Sequence, residues 1–63
     1  MNVTEMREKL EFHVTERNRH YARFIKLTNE GIKDKEVLRP VAEHAAAIIE
    51  LLARIEILET LGE

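Results

Sequence analysis

A single break, Asn29-Glu30-Gly31-Ile32-Lys33-Asp34, interrupts a chain whose apolar residues otherwise recur at helical spacing. Gly31 can take the left-handed backbone that closes a helix, with Ile32 beside it meeting Leu27 as in a Schellman motif. Asp34 offers a carboxylate to the free N–H groups of the following turn. At the other end, Asn2 with Glu5 three residues on has the pattern of a capping box. These signals predict one unit over residues 1–63, with helix 1 over about 3–30, a turn at 31–33 and helix 2 over about 34–61. Each helix would be roughly 40 Å long at 1.5 Å per residue, and so short a connection makes the two antiparallel neighbours. Pro40 lacks a backbone donor and predicts a bend or a 3₁₀ start early in helix 2.

Composition narrows the choice further. Two glycines and one proline in 63 residues leave little material for hairpin turns, which argues against an all-β fold. The absence of cysteine excludes disulfides, iron–sulfur clusters and thiol nucleophiles. A chain this short seldom closes a sufficient core alone and usually adds a metal, a crosslink or a second subunit. The longest apolar run, Ala45 to Ile49, is far too short to span a membrane or to serve as a leader, so a cytoplasmic protein is expected.

In projection, Val3, Met6, Leu10, Val14, Tyr21, Phe24 and Ile25 share one side of helix 1. Arg17 lies inside that arc, His13 and His20 on its edge, and Phe12 almost opposite. Helix 2 has two seams. Leu38, Val41, Ala45, Ile48, Ile49, Leu52 and Ile55 form the first, and Ala42, Ala46, Ile49, Ala53 and Ile57 the second. A helix apolar over so much of its circumference needs more than one neighbour. The expected fold is therefore all-α: a two-helix antiparallel hairpin that dimerises into a four-helix bundle with helix 2 inside. Charge supports the pairing, since residues 1–33 carry a net +2 and residues 34–63 a net −4.

The chemistry of a catalytic site is missing. No H-E-x-x-H or E-x-x-H spacing occurs, no glycine-rich phosphate loop and no serine, and the Glu16–His20 pair alone is a weak ion site. No enzyme activity, metal or cofactor is expected. The stretch Arg17-Asn18-Arg19-His20-Tyr21-Ala22-Arg23-Phe24-Ile25-Lys26 holds four positive charges and no carboxylate. Arg19, Arg23 and Lys26 project to the solvent side with Phe12, the combination that a phosphate backbone and an unstacked base require. Glu5, Glu8, Glu16 and Glu30 share that face and would repel phosphate. Phe12 ringed by charge also suits an anchor for a partner protein. Arg17, level with Glu50 in an antiparallel pair, is expected to form a buried ion pair with it.

In size and expected shape the chain resembles the small plasmid RNA-modulator proteins, helical hairpins that dimerise into four-helix bundles and bind RNA on the outer face of their first helices. The resemblance is architectural and carries no residue motif. The leading expectation is a small non-enzymatic protein-binding or regulatory module, an adaptor or inhibitor acting as a homodimer through Phe12, Arg19, Arg23 and Lys26. An RNA- or DNA-binding regulator using the same face is the alternative, and a purely structural dimerisation element the third.

Overall fold

The computed structural model describes residues 2–62; Met1 and Glu63, the ends of the expected unit, lie outside the described residues. Two α-helices, α1 (Val3–Asn29) and α2 (Leu38–Gly62), make up nearly all of it, with a 3₁₀ turn at Lys35–Val37 between them. Among the described residues there is no strand, and the fold is all-α. The molecule is a rod of 51 × 14 × 14 Å. No helix among the described residues is long and apolar enough to cross a membrane.

The helix ends follow the local chemistry of their residues. Asn2 is extended, and its Oδ1 accepts the Glu5 N–H at 2.8 Å, satisfying one of the free donors of the first turn. At the C-terminus of α1 the Ile32 N–H donates to the Leu27 carbonyl at 2.9 Å and the Gly31 N–H to Thr28 at 3.0 Å. Both bonds require the left-handed backbone of Gly31, whose φ is +83°. Asp34 accepts the Glu36 N–H at 3.0 Å and opens the 3₁₀ turn.

Regular α-helix thus begins at Leu38, later than the expected start at 34. An α-helix over 34–38 would need a Pro40 N–H to reach the Glu36 carbonyl, and proline has none. Starting at Leu38 leaves Pro40 within the first turn, where no intrahelical donor is required.

The helices meet in reverse order along the chain. Met6 packs with Leu51 and Ile55, supported by Val3 and Leu10, and the Arg7 guanidinium donates to Glu59 at 2.8 Å. Halfway along, His13 meets His44. Burial is shallow: among the described residues only Met6, Ile48, Leu51 and Ile55 are buried, and none of them completely. Leu51 occupies the place expected for Leu52, which is 50% exposed.

That exchange reflects a rotation of both helices. The face of α1 turned to α2 is centred on Met6, His13 and Phe24, roughly 50° from the centre of its apolar arc at 100° per residue. The buried face of α2, centred on Ile48, Leu51 and Ile55, is displaced from its first seam by a similar angle and in the same sense. Because the helices run in opposite directions, the same angular sense about each axis points to the same side of the pair. The displaced remainders, Tyr21 and Ile25 of α1 with Ala42, Ile49 and Leu52 of α2, are therefore exposed together along one side.

Candidate interaction surfaces

Three surfaces can be built from these elements. The first is the exposed apolar side. Tyr21 is 49% exposed, Ile25 42% and Ile49 69%. Half-buried Val14, Leu38 and Ala45 line the crease between the helices. Shallow grooves run along this side, one lined by Arg17, Asn18, Tyr21 and Val41, another by Leu52, Ile55, Glu56, Glu59 and Thr60. All five residues of the expected second seam, Ala42, Ala46, Ile49, Ala53 and Ile57, are exposed. Ala42 and Ile49 belong to the shared side. Ala46, Ala53 and Ile57 lie farther round α2, facing away from α1.

The second surface carries Phe12 and the basic cluster. Phe12 is 57% exposed but does not stand alone opposite the interface. Its ring meets the His13 ring edge-on at 5.3 Å and reaches across to His44 at 6.1 Å. The rotation of α1 brings this about, by moving its contact face towards Phe12. Arg19 is not free for a ligand: its Nε and Nη2 both donate to Glu16, each at 3.0 Å. That hydrogen bond, with the guanidinium charge and lesser contributions from His20 and His44, holds the Glu16 carboxyl below its ordinary value against a partial desolvation. Arg19 is correspondingly raised, first by the same hydrogen bond. Arg23 and Lys26 are exposed and make no ion pair among the described residues.

The expected Arg17–Glu50 pair does not form. Arg17 is half-buried, and its guanidinium donates to the Asn18 side chain at 3.3 and 3.1 Å. Glu50 is exposed and accepts from Arg54, one turn on, at 2.6 Å. The reason lies in the rotation of α2, which turns Glu50 to the side remote from α1, where a partner on its own helix is the nearest cation.

The third surface was not singled out in the sequence. His13, His20 and His44 form a layer between the helices. The Nδ1 atoms of His13 and His44 are 2.8 Å apart, and the His20 ring stacks on His44 at 5.8 Å and 13°. All three are half-buried. The signal available was the seven-residue interval between His13 and His20, which puts both on one face of α1. A third histidine lies as far from the turn as an antiparallel partner needs. Among the described residues no three His, Asp or Glu side chains converge to hold a metal ion. No family of known proteins, no characterised protein and no solved structure matches the chain.

Proposed function

We propose that this chain is an antiparallel helical hairpin that works by contact, as a small non-enzymatic protein-binding or regulatory module of the cytoplasm. Its first partner is a second copy of itself, in a two-fold four-helix bundle. The observation that carries this reading is the common side on which Tyr21, Ile25, Ile49 and Leu52 are all left at least two-fifths exposed. In a four-helix bundle each helix touches two neighbours roughly at right angles, so its apolar arc is centred between them. The offset of roughly 50° between arc and contact face, on both helices and towards one side, is what one missing neighbour per helix leaves. The outer surface around Phe12 then remains available to another protein, in two copies.

Sedimentation equilibrium at micromolar concentration tests the assembly: twice 7.4 kDa is expected, and a fully helical monomer overturns it. For the outer surface, material co-purified from the native host is identified with and without Phe12→Ala. Loss of a bound protein supports an anchor worth about 1–2 kcal/mol or more. A nucleic acid as the only co-purified partner rejects the protein-binding reading. We rank nucleic-acid binding second, because Glu16 occupies Arg19 and only Arg23 and Lys26 remain unengaged. A purely structural dimerisation element would show self-association and no further partner.

A further inference from the structure

The His13–His44 contact lies between the Met6–Leu51–Ile55 cluster at one end of the rod and half-buried Phe24, Leu27, Val37 and Leu38 near the turn. Its geometry identifies the bond. The ring centroids are 5.1 Å apart with the Nδ1 atoms at 2.8 Å, a difference about equal to two ring radii. The rings therefore meet head-on, each nitrogen pointing along the line to the other. Two ligands of one ion would instead converge on it at an angle, with their nitrogens held farther apart than hydrogen-bond distance. This is an N–H···N hydrogen bond, in which one ring donates a single hydrogen and the other offers a bare nitrogen.

Such a bond accommodates one additional proton and not two. The first can go to the outer nitrogen of the donor ring, which strengthens the bond by charging the donor. The second must go to the accepting Nδ1. Both facing nitrogens would then carry hydrogen, the bond would be lost, and two imidazolium rings would face each other at contact distance. The charges around the pair do not undo this. On α1, half-buried Arg17 adds positive charge, the His20 ring stacks on His44, and exposed Lys9 lies one turn before His13. Glu16 is the nearby carboxylate; it attracts charge on His20 and His44 through space, but both of its oxygens are held by Arg19. On α2 the residues around His44 on the facing side are Pro40, Val41, Ala47 and Ile48, which carry no charge, while Glu43 is exposed on the outer side.

We propose that the His13–His44 pair is an acid-sensitive latch that opens the middle of the hairpin as the imidazoles charge. In acid the closed hairpin binds one proton fewer than the separated helices. Stability therefore rises with pH, is complete above the range where free imidazoles titrate, and is lost as pH falls through that range. A one-proton difference changes the opening equilibrium about tenfold per pH unit.

Histidine ring NMR on the intact chain, from about pH 8 to 5.5 and so above the range of ordinary carboxylates, tests this directly. One ring of the pair is expected to take up a proton while the other stays neutral as long as the helices remain closed. The protection of amides in the middle of both helices, taken relative to the exchange rate of an open chain at the same pH, should fall up to tenfold per unit on the acid side. His44→Leu, apolar among Ile48 and its neighbours, should abolish that dependence, whereas His20→Gln should retain it. Should His44→Leu fail to fold, the titration of the unaltered chain decides. Two rings protonating together in a closed hairpin, amide protection that does not respond to pH, or an unchanged slope in folded His44→Leu would each overturn the latch.

Discussion

Replacing Ile49 with alanine separates a lone pair of helices from a four-helix bundle, because the two predict opposite signs. In the isolated chain Ile49 is 69% exposed and touches little, so truncation removes almost no packing. Alanine is also the better helix former by a few tenths of a kcal/mol, so a monomer would be unchanged or slightly more stable. In the bundle Ile49 faces the second copy. Full burial of an isoleucine is worth about 1.5–3 kcal/mol, and its present exposure leaves about two-thirds of that to be gained on association. Alanine retains only a small part, so each copy loses about 1–2 kcal/mol and the two-fold assembly about 2–4 kcal/mol. At about 1.4 kcal/mol per tenfold, the dimer dissociation constant rises roughly 30- to 1,000-fold. Sedimentation equilibrium over a wide concentration range reads that shift, and the dependence of Tm on concentration gives a second measure. Equal dissociation constants for Ile49→Ala and the parent chain would remove Ile49 from any interface and, with it, the common-side argument.

Three further outcomes follow from single contacts. Met6→Ala empties the centre of the Met6–Leu51–Ile55 cluster and should cost about 2–5 kcal/mol in urea unfolding, the range for large-to-small core changes. Gly31→Ala meets no steric neighbour within 4 Å but must adopt φ near +83°, so it should destabilise by about 1–2 kcal/mol, with Gly31→Asn milder. Arg19→Ala should return the Glu16 carboxyl upward towards its ordinary value, seen by carboxyl NMR. In the parent chain that depressed carboxyl favours the fold above the ordinary carboxylate range, and this contribution disappears as pH falls through the lowered value.

The helix ends were legible in the sequence because each is decided within a few residues. Asn2, Gly31 and Asp34 act through their own side chain or backbone freedom, whatever the rest of the chain does. The contact face was not legible to the same degree. A projection finds the centre of all apolar residues, but the single neighbouring helix occupies only part of that arc. On this account the projection favours Leu52 over the buried Leu51 and sets Phe12 opposite an interface that it flanks. The projection sets His13 and His20 only on the edge of the arc and gives no sign of His44, because polarity counts against a residue as core, whereas two imidazoles facing each other satisfy one another. The expected ion pair of Arg17 with Glu50 rested on register alone. Register fixes height along the rod and leaves rotation open, so Glu50 found Arg54 on its own helix.

The best-buried cluster sits at the end of the rod remote from the turn, and this bears on the order of folding. Zipping outward from Gly31 first joins residues close in sequence, where the flanking side chains are only partly covered. It reaches His13 and His44, separated by 31 positions, before Met6, Leu51 and Ile55 can close, and the Arg7–Glu59 pair at 52 positions comes last. Early contacts thus gain little while chain entropy is being lost, and most of the apolar burial is realised late. The barrier is accordingly set by nearly complete closure rather than by the turn. Once formed, the pair of helices is clasped at the end remote from the turn, where helices tied only at the far side would otherwise splay first.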